Sequence, residues 1–206
     1  MLLNKINIPL SKGLEMKNYR EDILNNFIER YEKSSYYKGK SLKPQKSSIV
    51  LHERYPQYGQ SRYPEVLEKI EDVVLQLEKE DLIQFAKGSI EGNRKLIFVP
   101  TEERVSKIYQ ELDRTPLKEK RNRYLNCLKM YELDSFFKDF QIAMEEKVFN
   151  YESVLPYLKV YDQEDLKNVM KILQGMKNQE EEISFRKFSE KVLGDTKKLE
   201  KYKNKI

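Results

Sequence analysis

Residues 64–99, PEVLEKIEDVVLQLEKEDLIQFAKGSIEGNRKLIFV, decide the fold of the front half of this chain. Val66, Leu67, Ile70, Val73, Val74 and Leu77 recur at three- and four-residue spacing, which predicts an amphipathic helix over 64–80. Directly after it, Leu82–Ala86 and Lys95–Val99 are short runs of branched and aromatic residues. Gly88 and Glu91-Gly92-Asn93 separate them, so the pair reads as a β-hairpin. Upstream, Tyr19, Ile23, Phe27 and Tyr31 form a second helical stripe, predicting a helix from about Lys17 to Ser34. Ile49-Val50-Leu51 is a short strand or the core-facing turn of a short helix. Helix, short strand, helix and hairpin is the order of a winged helix, an order that unrelated α+β folds share in part.

Working outward, residues 1–16 carry Pro9 and Gly13 and read as a lead-in. Ser34 to Ser48 is polar, basic and interrupted by Gly39 and Pro44, hence a loop. Thr101 caps a helix running to about Leu112, with Glu102 and Glu103 favourably placed in its first turn. Two more helices follow, over about 116–132 and 135–148, as a helical arm or bundle. Three helical stretches close the chain, near 162–174, 183–192 and 196–206. Gly194 suits a left-handed C-cap for the second of them, and Asp195 an N-cap for the third. The expected architecture is therefore mainly α with a small β-hairpin. It comprises a winged-helix-like domain over 17–113, a helical arm over 114–160, and the start of a second winged helix over 161–206, with no wing following.

Composition limits the chemistry. A hydrophobic fraction of 39% is low and a charged fraction of 35% high, yet 14 Tyr and 9 Phe supply enough apolar surface for ordered cores. No run of apolar residues is long enough to span a membrane. One cysteine, Cys127, cannot form an internal disulfide, and no signal-peptide pattern is present, so a cytoplasmic home is expected. His52 is the only histidine, which leaves no triad and no His/Cys metal cluster. The run Glu180-Glu181-Glu182 reads as a solvated turn ahead of a helix. No phosphate-binding glycine loop occurs. A catalytic centre and a bound cofactor are therefore not expected in this chain.

Charge is divided unevenly. Lys and Arg outnumber Asp and Glu twelve to six over residues 1–62, are outnumbered seven to twelve over 63–113, and lead twenty to sixteen over 114–206. The 64–80 helix and Asp81 carry Glu65, Glu68, Glu71, Asp72, Glu78, Glu80 and Asp81 against Lys69 and Lys79. Phosphates would repel it, so it is a poor reader of a DNA groove. The terminal segment is the reverse. Arg186, Lys187 and Lys191 precede Thr196, Lys197, Lys198 and Lys201, and this pair of helices reads either as a helix-turn-helix contacting double-stranded DNA or as a solvated end. A second basic area, Lys38, Lys40, Lys43 and Lys46 with Tyr36 and Tyr37 between, has the composition of a nucleic-acid-gripping loop and equally of ordinary soluble surface.

Two stretches carry a family resemblance. The first is Tyr31-Glu32-Lys33-Ser34-Ser35-Tyr36-Tyr37-Lys38-Gly39, followed by Tyr55-Pro56-Gln57-Tyr58 and the acidic helix ending Leu77-Glu78-Lys79-Glu80-Asp81-Leu82-Ile83. The second is Phe188-Ser189-Glu190-Lys191-Val192-Leu193-Gly194-Asp195-Thr196-Lys197-Lys198-Leu199-Glu200, with Thr196 where the family usually has serine. The chain resembles the front part of the JetD subunit of Wadjet, a bacterial anti-plasmid defence system. That resemblance implies an arm region, a winged-helix domain, and then a metal-dependent Toprim nuclease domain whose acids are absent from this sequence. It further implies a homodimer working with an SMC-type ATPase complex on plasmid DNA. The expected role is accordingly DNA engagement and assembly without cleavage; the alternative is a free-standing winged-helix regulator or adaptor that binds a protein partner.

Overall fold

Pro64 opens α3 (Pro64–Lys79) at a position where its missing N–H costs nothing, and Val66, Ile70, Val74 and Leu77 are buried along one face. A computed structural model describes residues 18–131, 135–159 and 161–204; the lead-in over 1–16 lies outside them. Within this range the chain forms two compact units, one ending at Arg114 and the other starting at Thr115. The described residues are mainly helical, with one small three-stranded antiparallel sheet.

In the first unit, α1 (Tyr19–Lys33) is capped by Asn18, whose side chain accepts from the Glu21 N–H. It buries Ile23, Leu24, Phe27 and Ile28. β1 (Ser47–Val50) leads without a gap into the single-turn α2 (Leu51–Arg54), so the apolar stretch 49–51 is both strand and helix start. After α3 the chain forms β2 (Gln84–Phe85) and β3 (Lys95–Phe98), then α4 (Glu102–Glu111). Thr101 caps α4 as expected, accepting from the Arg104 N–H at 3.3 Å. The strand order is β1-β3-β2. Ile49 and Phe85 both pair with Leu96, and Ser48 and Gln84 both pair with Ile97.

The first hairpin strand is shorter than its composition predicts. The Leu82 N–H is spent on the Leu77 carbonyl at the end of α3, 2.9 Å away, so Leu82 and Ile83 serve the core instead of the ladder. Asp81 turns the chain there with φ of 59°. Arg104 of α4 holds the turn, donating from Nε to the Asp81 carbonyl and from Nη2 to Asp81 Oδ1, each at 2.6 Å.

The second unit contains α5 (Leu117–Lys129), α6 (Ser135–Phe149), α7 (Gln163–Lys177), α8 (Phe185–Leu193) and a 3-10 helix (Lys198–Tyr202). One core joins them: Tyr124 and Leu128 from α5, Met144 and Val148 from α6, Leu166 and Met170 from α7, and Leu199 and Tyr202 from the 3-10 helix. Residues from the predicted arm and from the predicted terminal stretch thus share a single apolar cluster. Gly175 permits the close contact of α7 with α8, because a Cβ there would stand 2.5 Å from Val192 Cγ2.

The expected terminal helix over 196–206 is corrected by the structure. No α-helix forms among its described residues. A five-residue 3-10 helix stands there instead, and Lys205 lies outside the described range. The reason is packing: Leu199 and Tyr202, the two apolar residues in the described part of the segment, belong to the core of the second unit, and they are three apart, a spacing that the three-residue turn of a 3-10 helix brings to one side. Both are buried, and the Tyr202 hydroxyl accepts from Asn168 Nδ2 at 3.0 Å.

Candidate nucleic-acid interface

Ser184 starts α8 by accepting from the Lys187 N–H, and Gly194 ends it with φ of 70°, its N–H bonded to the Glu190 carbonyl at 2.9 Å. The left-handed C-cap is as the sequence predicts. Asp195 is not the cap of a following α-helix; its Oδ1 accepts from the Lys197 N–H at 2.7 Å, which closes a tight side-chain turn. Buried Ser189 fastens that turn to α8. Its Oγ donates to the Asp195 carbonyl and accepts from the Leu199 N–H at 3.1 Å. The stretch from Phe188 to Leu199 is therefore a well-connected corner between α8 and the 3-10 helix.

The predicted contact residues divide by their partners. Arg186, Lys187, Thr196, Lys197 and Lys201 are exposed, and among the described residues their side chains have no hydrogen bond or ion pair. Lys191 donates to Gln179 Oε1 at 3.0 Å, and half-buried Lys198 pairs with Glu164 at 3.3 Å. Exposed Lys203 adds a cation beside the predicted set. What the structure brings together is a cationic corner of solvent-facing side chains. Among the described residues the corner is followed by a five-residue 3-10 helix, shorter than a helix that lies along a major groove.

The basic loop belongs to the first unit. Ser34 Oγ donates to the Tyr31 carbonyl at 2.6 Å and accepts from the Tyr37 N–H at 3.2 Å, while Gly39 turns the chain at φ of 73°. Lys40, Lys43 and Lys46 are exposed and Lys38 is half-buried. Tyr37 packs edge-on against Tyr31 with centroids 5.1 Å apart, so its ring serves the fold and is not presented to a base. Arg30, which the sequence reading passed over, sits beside this loop, with Nη1 on the Ser48 carbonyl at 2.6 Å. Its three-residue spacing from Lys33 at a helix end was the available signal.

The acidic helix α3 presents Glu65, Glu68, Asp72 and Glu78 to solvent. Glu71 is different. It is buried, accepts from the Tyr58 hydroxyl, and pairs with Arg94 Nε at 2.5 Å, with the Gly92 N–H at 3.4 Å. Arg94 in turn lies over the Phe85 ring, 4.3 Å from its centroid. Burial, and then the Glu71 carboxylate beside it, push the Tyr58 phenol well above its ordinary value. This acid ties the 55–63 segment and the hairpin to α3 and is structural.

His52 is exposed on α2, and Cys127 is buried in α5. Among the described residues no three His, Cys, Asp or Glu side chains are grouped to hold a metal ion. No helix among the described residues is long and apolar enough to cross a membrane. Compared with protein-family models, curated proteins and solved structures, the chain gives no match.

Proposed function

We propose that this chain is a DNA-engaging and assembly region of a JetD-like anti-plasmid nuclease, working without a catalytic site of its own. The observation that carries the reading is the corner over 186–201. Four cationic side chains and Thr196 face solvent unpartnered, around a turn held by Gly194, Asp195 and buried Ser189. Cations already outside the core and free of carboxylates bind phosphates without first losing an internal pair. Lysines neutralise phosphate charge but carry little sequence information, so the binding expected is salt-sensitive and tolerant of DNA sequence. We read the first unit as a winged helix, from its element order and its β1-β3-β2 sheet. Its acidic α3 serves assembly in place of groove reading.

The test is duplex binding by the full chain as a function of salt, comparing wild type with the Lys197→Glu/Lys201→Glu variant. Both side chains are exposed, so the fold should survive. Each phosphate that is no longer neutralised lowers the slope of log K against log salt by about 0.9. A drop of about two in slope is expected, and an unchanged slope with unchanged affinity would sink the reading.

One observation favours the adaptor alternative. Ile172, Met176, Phe185, Phe188 and Tyr202 line a groove of about 630 Å³ in the second unit, and Met176 and Phe185 are roughly half exposed there. Retention of a protein partner by the Lys197→Glu/Lys201→Glu variant, together with no duplex binding by wild type, would select that reading.

A further inference from the structure

We propose that the hollow between the end of α1 and the start of β1 is a phosphate-binding subsite, in which Arg30, Lys33 and Lys46 hold one backbone phosphate of a nucleic acid. The hollow has a volume of about 230 Å³, and Tyr31, Ser34, Gln45, Ser47 and Phe98 complete its lining. No carboxylate lines it. All three cations are exposed. Arg30 uses Nη1 on the Ser48 carbonyl, which fixes the guanidinium at the hollow while leaving most of its five N–H donors available. Lys46 has no partner among the described residues. Lys33 has only the Glu29 carboxylate on its own helix, at 3.8 Å, with both side chains more than half exposed.

Three terms oppose an anion here, and their size can be compared with the attraction: Glu29, the end of α1, and the exposed Glu102 carboxylate of α4, which lies outside the lining but acts on the lining Tyr31. Glu29 cancels one cation, and the C-terminus of α1 contributes about half a negative charge. Against three cations, a net positive charge of about one half remains even if Glu102 is counted in full, and more if its exposed carboxylate is screened, in a recess that already holds the guanidinium in place. The helix dipole alone explains basic residues at the end of α1. It does not explain Lys46, which arrives from the other side on the strand lead-in, where no helix end calls for it. The same loop carries Lys38, Lys40 and Lys43, so a polyanion with repeating phosphates fits this surface better than an isolated anion.

The identity of the ligand rests on the proposed DNA role, whereas the subsite itself does not, and the experiment separates the two. Lys33→Gln/Lys46→Gln is compared with Lys197→Glu/Lys201→Glu in duplex titrations of the full chain over a range of salt. Backbone amide shifts are also followed on adding inorganic phosphate or dimethyl phosphate. A salt slope lower by about 0.9 in Lys33→Gln/Lys46→Gln, with a several-fold weaker affinity, supports the subsite as a nucleic-acid contact. If wild type binds duplex and this variant equals it in slope and affinity, the subsite is overturned while the DNA role stands. If wild type binds no duplex, the DNA role fails. Amide shifts confined to residues 30–34 and 45–48 on adding phosphate would then support the subsite with a free phosphate as its ligand, and their absence would overturn it.

Discussion

Glu71→Ala tests the arrangement of the first unit most directly. The carboxylate is 8% exposed and its partner Arg94 15% exposed, so the mutation leaves a guanidinium facing a place that water reaches poorly. Removing one partner of a buried ion pair costs about 3–5 kcal/mol, chiefly because the other charge is stranded. Arg94 keeps its contact with the Phe85 ring and some solvent, which sets the expectation near the lower end, at about 3 kcal/mol. Tyr58 also loses its acceptor, and Gly92 a weak one. With a urea slope of about 2 kcal/mol per molar, the midpoint falls by about 1.5 M. Because the chain divides into two compact units, the effect is followed at amides of β3 as well as by a global signal. Arg94→Ala and the double variant complete a cycle. A destabilisation under about 1 kcal/mol, or additive single changes, would show that Glu71 does not organise the hairpin.

Other substitutions probe the turns and the buried phenols. Gly59→Ala should unfold the first unit far more readily than Gly194→Ala perturbs the second, in thermal melts. Both glycines have positive φ, costing about 1–2 kcal/mol for any L side chain, but a Cβ at 59 would also stand 2.2 Å from the Gly92 carbonyl oxygen, while position 194 is open; equal effects would refute the close approach. Ser189→Ala removes a bridge between α8 and the turn, strands the Leu199 N–H, and should cost about 1–3 kcal/mol, read as faster proteolysis at Lys197 and Lys198; unchanged cutting would count against the fastened corner. Burial is the leading cause of raised phenol pKa values at Tyr55, Tyr58, Tyr109 and Tyr124. A raised folded-state value means that their contribution to stability is complete below the unfolded tyrosine pKa of about 10 and is lost as pH rises beyond it. Phenolate absorbance should therefore show these four ionising only with alkaline unfolding, and simultaneous ionisation of all fourteen tyrosines in the folded protein would contradict it.

Periodic apolar residues, punctuating glycines and capping side chains made much of the secondary structure legible in the sequence alone. Helix α3, Thr101 at the head of α4 and Gly194 at the end of α8 are local events, governed by residues within a turn of one another. Tertiary contacts decided the rest. The strand after α3 is cut to two residues because Leu82 bonds back to Leu77. The same acidic helix holds solvent-facing carboxylates and one buried structural acid, a distinction set by Arg94 and Tyr58, more than ten residues away. At the chain's basic end, lysine content and a cap-turn-cap pattern read as a second helix. Packing of Leu199 and Tyr202 into the α5–α7 core draws the segment into a 3-10 turn instead. Charge along the sequence identified which surfaces are basic. Whether a given lysine faces solvent alone, like Lys197, or is bound to its own chain, like Lys198, depended on Glu164 being brought beside it from α7.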